Sequence, residues 1–249
     1  MIDWTIHSKQ TTESTNLDAR AGTHGDVFTA DFQTAGRGRL DHKWLSPPGT
    51  NLMMSVVLSV EGLAPDHVAT LPLVAGLAVA KAVRELVAAD EDARRKTRDV
   101  QLKWPNDVLV GGKKIAGILC ERHGDNVIVG IGVNVNQTAF PPEIANRATS
   151  LAQVAPPVVS RLPSPVLTVR AAILKELDRQ YSAWRSDGFA AVYPAIAAVD
   201  HLKGRAVSVR QTDDDSAPLT GVSNGIMPDG TLDVGGAKAF AGEAHVESL

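Results

Sequence analysis

A single cysteine, Cys120, stands in 249 residues, which excludes an intramolecular disulfide and any site built from several thiolates. Aromatic residues are scarce, at 4 Trp, 2 Tyr and 5 Phe. Aliphatic packing must therefore supply most of the core. No long hydrophobic run is present: the longest, residues 68–80, has 13 members, short of the ~20 that a membrane-crossing helix requires. Met1-Ile2-Asp3-Trp4 carries neither the basic stretch nor the apolar core of a secretory signal, so a reducing, cytoplasmic setting is expected. Neither sign of charge dominates. With 25 Lys+Arg against 28 Asp+Glu the net is −3, which gives no overall footprint for nucleic acid and leaves open only a local basic patch. The histidines show no metal-ligand spacing; among them only His42 falls beside the cationic loop described below.

What is present is a globular composition, 44% apolar and 21% charged, in a chain long enough for one or two domains with a substantial core. Alternation over residues 2–7 predicts a strand. Residues 11–16 supply cap chemistry for a short helix that Gly22 closes. Residues 27–34 and 51–60 read as strands. Asp66 is placed to cap a long helix whose apolar face is Leu73, Leu77, Ala80, Val83 and Val87. Residues 90–99 read as an exposed charged connection.

Two apolar runs, 107–110 and 115–119, joined across Gly111-Gly112, predict a hairpin, and 127–134 a further strand. The proline-rich stretch 141–163 reads as a loop. Ser164-Pro165 opens a helix carrying Ile173, Leu177, Tyr181 and Trp184, closed near Gly188. From Lys203 onward, short β-rich segments broken by turns suit a small barrel. Trp4 and Trp184 are expected in packing roles, Cys120 as an inert thiol ending an apolar strand, and Asp213-Asp214-Asp215 as a solvated turn.

Three segments concentrate chemistry, each pairing cations with glycine or polar turn residues. In residues 36–44, Arg37, Arg39 and Lys43 outweigh Asp41, while Gly36 and Gly38 permit close backbone approach to an anion. Lys103-Trp104-Pro105-Asn106-Asp107 presents short polar groups at the start of a strand. Gly111-Gly112-Lys113-Lys114 opens an apolar strand with lysines whose stems can pack while an ammonium enters a cleft. Each alone reads equally well as an ordinary surface loop or turn. Together they suit a site that joins one anion to another. Two unit negative charges at 4 Å repel by ~1 kcal/mol in water and ~4 kcal/mol at an effective dielectric of 20, and fixed cations must offset that.

These segments resemble the signature motifs of biotin protein ligases. The likeness rests on Gln33-Thr34-Ala35-Gly36-Arg37-Gly38-Arg39 with Lys43-Trp44, on Lys103-Trp104-Pro105-Asn106-Asp107, on Lys114-Ile115-Ala116-Gly117-Ile118-Leu119 and on Gly130-Ile131-Gly132-Val133-Asn134-Val135-Asn136, in order and at similar spacing. Glu13-Ser14-Thr15-Asn16 is similar to that family's N-terminal biotin motif, and Gly221-Val222-Ser223-Asn224-Gly225-Ile226 with Asp229-Gly230 to its C-terminal module.

The resemblance implies an α+β fold: a mixed β-sheet with packed helices, like the catalytic domain of class II aminoacyl-tRNA synthetases and biotin ligases, over residues 1–200. A small SH3-like barrel would occupy 201–249. It also implies ATP and Mg²⁺ with biotin as substrates, no tightly bound prosthetic group and no protein metal site. Biotin would be activated as biotinyl-5′-AMP, then transferred to a lysine of the biotin carboxyl carrier domain of acetyl-CoA or related carboxylases.

The implied catalytic residues are Lys114, Arg37, Arg39 and Asp107. Biotin would meet Ser14, Thr15, Asn16, Gln33, Gly36, Arg37, Lys114, Gly117, Ile118, Leu119 and Gly130; ATP would meet Arg37, Arg39, Trp44, Lys103, Asn106, Lys114 and Asn134. Asn106 and Asp107 would receive the acceptor lysine. The chain departs from the family at Asp41-His42, where many relatives carry Gly then Arg, which removes one cationic phosphate contact. With Ser14 so close to Met1, no N-terminal DNA-binding module is expected, and the reading is a ligase without DNA or membrane partners, as monomer or homodimer. A lipoate ligase or octanoyl transferase, and a non-catalytic biotin sensor, are the alternatives.

Overall fold

The computed structural model describes residues 1–40, 42–88, 99–211 and 217–247. Asp41, the connection at 90–98 and the aspartates 213–215 lie outside the described residues. Seven strands form one mixed sheet: β1 (Thr5–Thr12), β2 (Asp26–Gln33), β3 (Leu52–Ser59), β4 (Val100–Lys103), β5 (Asp107–Val110), β6 (Lys113–His123) and β7 (Asn126–Val133), in the order β1-β2-β3-β7-β6-β5-β4. β1 and β2 run parallel, and the other neighbours are antiparallel. A separate antiparallel sheet, ordered β11-β10-β9-β8-β12, comprises β8 (Ala206–Gln211), β9 (Leu219–Ile226), β10 (Leu232–Val234), β11 (Ala237–Ala239) and β12 (Gly242–Val246). β11 and β12 are its edges, and among the described residues no pairing closes it into a barrel. The architecture is α+β, as expected.

One face of the large sheet is the core. Met54, Val56 and Leu58 of β3, Val129, Ile131 and Val133 of β7 and Ile118 of β6 are buried together with helix α3 (Leu71–Val87), after the one-turn helices α1 (Thr15–Asp18) and α2 (Pro65–Val68) in chain order. The long helix starts later than expected. Asp66 falls in α2, where its Oδ1 accepts from the His67 amide at 2.9 Å, and Thr70 precedes α3. The expected face of Leu73, Leu77, Ala80, Val83 and Val87 is buried, and burial extends around nearly every side of α3, as befits a helix layered between other elements.

The stretch 141–163 is not all loop; it contains α4 (Leu151–Val154) and α5 (Pro156–Val159). Ser150 caps α4, and the prolines of α5 occupy a first turn, where no amide donor is missed. α6 (Pro165–Asp187) packs across α3, with Trp184 Nε1 donating to Thr70 Oγ1 at 2.8 Å and Tyr181 OH to the Ser59 carbonyl at 2.6 Å. Trp184 is fully buried and Trp4 packs against the same cluster, both as expected. Cys120 lies within β6 rather than at its end, and burial pushes its thiol up to about 12, leaving it inert.

After α6 comes α7 (Tyr193–Ala197), and the chain then enters the second sheet. Val207, Val209, Ile226, Leu232 and Val234 join the main apolar cluster, so a segment too short to bury much by itself is completed by the rest. Polar ties reinforce the seam: Trp104 Nε1 donates to the Gly230 carbonyl at 3.1 Å, and Asp200 accepts from the amides of Leu202 and Ile226 at 2.9 and 2.8 Å. Among the described residues no helix is long and apolar enough to cross a membrane.

His201 sits at this seam, 8% exposed, with its Nδ1 2.8 Å from Gln101 Oε1. Burial, followed by the charges of Arg205 and Lys103, lowers its pKa from 6.5 to about 4. The unfolded chain therefore holds a proton that the native one refuses between those two values, so stability rises with pH across that window and is lost on acidification. A series of urea midpoints for wild type and His201→Gln tests this. The difference between the two proteins should grow in favour of the variant as pH falls from 6.5 towards 4; a constant difference would contradict it.

Candidate active site

The opposite face of the large sheet carries the polar groups. Cross-strand register places Ser55 opposite Gly130, and Gly130 opposite Leu119; the next row is Met53, Gly132, Gly117 and Asp107. Residues in register share a face, so two rows rich in glycine floor a cavity there. The space is used by other chains of atoms: a Cβ on Gly130 would lie 2.2 Å from Asn16 Oδ1, and one on Gly132 would lie 2.5 Å from Trp44 Cε2.

Lys114 reaches the same face through an irregularity. β5 and β6 pair Val108 with Ala116 but Leu109 with Lys114, so Ile115 has no partner and the alternation slips. Lys114 Nζ consequently stands 3.1 Å from the point where a Gly117 Cβ would be, 5.9 Å from the Trp44 ring centroid and 2.6 Å from Asp107 Oδ1.

At the far end, α1 lays Ser14, Thr15 and Asn16, all buried, over the sheet. Thr15 donates from its amide to Gln33 Oε1 at 2.7 Å, and Ser55 Oγ stands 2.7 Å from Thr15 Oγ1 and 2.6 Å from Asn16 Oδ1. The glycine–arginine loop closes one side as a narrow hairpin: the Trp44 amide donates to the Gly36 carbonyl, the Gly38 amide to the His42 carbonyl, and Arg37 bridges to Lys43. Neither glycine uses a left-handed backbone; among the described residues of the loop Leu40 does, at φ +52. Gly36 matters instead because a Cβ there would meet the Trp44 carbonyl at 2.4 Å.

Arg37 donates to Glu121 Oε1 at 2.9 Å, and Arg39 to the Gly242 carbonyl at 3.1 Å and Asn106 Oδ1 at 3.4 Å. Burial lowers the pKa of Arg39, and also that of Lys103, with Asp107 and Glu243 opposing the shift in both. Arg39 remains charged because guanidinium is so basic. Asn106 also donates to the Ile118 carbonyl at 2.8 Å, which extends the β5–β6 ladder by one polar pair.

One cavity is lined by every expected site residue except Gly36 and Asn134. Gly36 is buried behind it. Asn134 lines an adjoining cavity, with its Nδ2 donating to the Thr149 carbonyl at 3.0 Å. Trp44, Lys103, Asp107 and Lys114 border both cavities, so the two form one continuous cleft. Arg147 and Lys43 add positive charge to the second.

Several participants carry no signal in the local motifs. Glu243 and Gly242 arrive on β12 from the other sheet, and Arg147 from the loop that pairs with Lys114. Glu121 could have been found by stepping two residues at a time from Gly117 through Leu119 along β6. Among the described residues no three His, Cys, Asp or Glu side chains gather as a metal cage.

Comparison with known proteins agrees with this geometry. The model of the biotin/lipoate A/B protein ligase family matches residues 4–137. The biotin--[acetyl-CoA-carboxylase] ligase of Mycobacterium tuberculosis is 35% identical over 250 residues, covering 96% of this chain and 86% of that one. The bifunctional ligase/repressor BirA of Bacillus subtilis is 35% identical over 184 residues; 71% of this chain matches, against 51% of that protein, so the chain spans about half of its length.

Among solved structures, the Aquifex aeolicus biotin protein ligase in complex with biotin and ATP superposes with a TM-score of 0.82 at 28% identity, covering 97% of this chain and 99% of that one. The Leishmania major biotin protein ligase in complex with biotinyl-5-AMP gives 0.68 at 29%, with 98% of each covered. With the matched segment running from β1 through the glycine-rich β7 that floors the cleft, the chain belongs to the biotin/lipoate A/B protein ligase family.

Proposed function

We propose that this chain is an ATP-dependent biotin–protein ligase. A carboxylate oxygen of biotin attacks the α-phosphorus of ATP, the bond to the β-phosphate breaks, and biotinyl-5′-AMP and pyrophosphate form. The amine of a lysine on the carrier domain of acetyl-CoA or a related carboxylase then attacks the activated carbonyl, and AMP leaves. The observation that carries this reading is the meeting of Arg37, Arg39, Lys103 and Lys114 in a single cleft that ends in a neutral polar pocket.

The neutral end suits the ureido ring. Ser14, Thr15, Asn16 and Gln33 supply hydrogen bonds there, and a buried polar group left without one loses about 1–3 kcal/mol. A purely alkyl acid such as octanoate has no use for that network, which argues against the octanoyl-transferase reading. The cationic stretch suits the reacting anions: Lys114 and the two arginines offset the repulsion between carboxylate and α-phosphate, while Lys43, Lys103 and Arg147 face the second cavity, to which we assign the remaining phosphates. No protein ligand is assigned to Mg²⁺, which comes as part of the MgATP substrate. We place the domain boundary at residues 200/201, where Asp200 bonds across the seam.

Trp44 lies between the two ends of the cleft, and we assign its ring to the nucleotide. Stacking a base on an aromatic ring is worth about 1–3 kcal/mol, so Trp44→Ala should raise the KM for ATP by at least about fivefold; an unchanged value would return the indole to packing. The reading as a whole is tested by incubating the full chain with biotin, MgATP and a carrier-domain fragment, followed by mass spectrometry of the fragment. Biotin on one specific lysine is expected. An adenylate formed from lipoate and not from biotin, or biotin bound but never transferred, would overturn it.

A further inference from the structure

Glu121 has no place in the reaction so far, yet it closes the polar network at the biotin end. It does not line the cleft; it stands behind Asn16 and Arg37. Its carboxylate receives Asn16 Nδ2 on one oxygen at 2.6 Å and Arg37 Nη1 on the other at 2.9 Å, with Arg20 Nη2 3.9 Å away. The Arg37 contact is charge-assisted but solvated, and so adds little to stability. That guanidinium is 44% exposed, and exposed ion pairs contribute little. The contact to buried Asn16 is the one with consequences.

We propose that Glu121 is a positioning residue that fixes the orientation of Asn16, and with it the Ser55 hydroxyl, at the biotin end of the cleft. The inference rests on the biotin-ligase reading. An ionised carboxylate can only accept, so Asn16 must turn its NH₂ towards Glu121. Its Oδ1 then faces Ser55, whose single hydroxyl proton is committed to it at 2.6 Å. Ser55 Oγ also lies 2.7 Å from Thr15 Oγ1, whose own proton goes to Gln33 Oε1 at 3.0 Å. The Thr15 amide donates to the same Gln33 oxygen at 2.7 Å. Gln33 is thereby held with its Nε2, which makes no hydrogen bond among the described residues, free to donate. One negative charge thus presets Asn16 and Ser55, and the Thr15 amide presets Gln33, before a ring bearing both a carbonyl and N–H groups arrives.

Glutamine at 121 keeps the shape and removes the constraint. It has one acceptor oxygen for two donors, and the charged Arg37 takes it. Asn16 then meets an NH₂ group, its amide turns over, and Ser55 loses its acceptor in Asn16 and must turn its proton towards Thr15 Oγ1. Biotin binding to the full-length protein, measured by calorimetry, should weaken about tenfold in Glu121→Gln, the loss typical of one misdirected buried hydrogen bond. The KM for ATP and the melting temperature should stay where they are. Because the effect passes through Asn16, adding Glu121→Gln to Asn16→Ala should cost nothing further.

Should Glu121→Gln fold poorly, Ser55→Ala breaks the same chain one bond along and should weaken biotin by a similar factor at constant KM for ATP. Unaltered biotin affinity in both variants, full additivity with Asn16→Ala, or an equal rise in both KM values would overturn the assignment. Failure of the wild-type protein itself to bind biotin or form its adenylate would instead strike the biotin-ligase reading.

Discussion

Replacing Lys114 by alanine is expected to slow biotinyl-adenylate formation by about 10²–10³-fold, the loss seen when one preorganised electrostatic group is removed from a reacting anion. Melting temperature should barely move. The Lys114 side chain is 37% exposed and its contact with Asp107 is a partly solvated pair, which contributes little to folding. The contrast is the point: an ammonium beside a wall of glycines, facing Trp44, stabilises charge that develops only during the reaction. Alanine also leaves Asp107 unpaired where two further anions must meet, so part of the loss is added repulsion. For that reason Lys114→Ala combined with Asp107→Ala should form adenylate faster than Lys114→Ala alone. Single-turnover measurement of adenylate alongside thermal denaturation checks both statements. Parallel losses of activity and stability would make Lys114 a structural residue.

Much of this site was legible because its motifs are local. Glycine next to arginine, Lys-Trp-Pro-Asn-Asp before a strand, and Gly111-Gly112 between two apolar runs each state their geometry within a few residues, and the hairpin between β5 and β6 is where it was expected. Most strands followed from alternation. β4 and α4 were missed because four residues carry too little pattern, and α5 because prolines that open a helix look in sequence like prolines that prevent one.

The parts that escaped depend on register and distance. Nothing in Lys113-Lys114-Ile115 reveals the skipped pairing that turns Lys114 onto the glycine face; without it, strict alternation would send the ammonium to the opposite side from Gly117. Arg39 finds the Gly242 carbonyl 203 residues away, a contact no local motif can announce. Glu121 was overlooked for a different reason: it is behind the site and acts through groups that touch it.

Asp107→Ala should separate the two halves of the reaction. Its carboxylate holds Lys114 at 2.6 Å, so adenylate formation should fall modestly. The larger effect is expected on transfer. An acceptor lysine arrives as an ammonium, with an ordinary pKa of about 10.4, and must lose a proton before or while it attacks. Asp107 borders both cavities of the cleft, as does Glu243, and of the two it is the one paired with Lys114, placed to orient the acceptor's ammonium and take the proton. General-base assistance contributes about 10²–10⁴-fold, so transfer from preformed adenylate should slow by about 10²-fold.

The pH profile distinguishes this from a loss of alignment alone. Without a base, only acceptor that is already neutral reacts, and the variant's rate should climb about tenfold per unit up to the acceptor pKa near 10.4, while the wild-type rate climbs less steeply. Asp107→Asn, which keeps the shape and a hydrogen-bond acceptor but cannot take up a proton, should share the steep profile with a smaller loss of affinity for the carrier domain. An unchanged transfer rate in Asp107→Ala would leave the aspartate with a single role, the anchoring of Lys114. The acceptor's proton would then leave by way of Glu243 or of solvent.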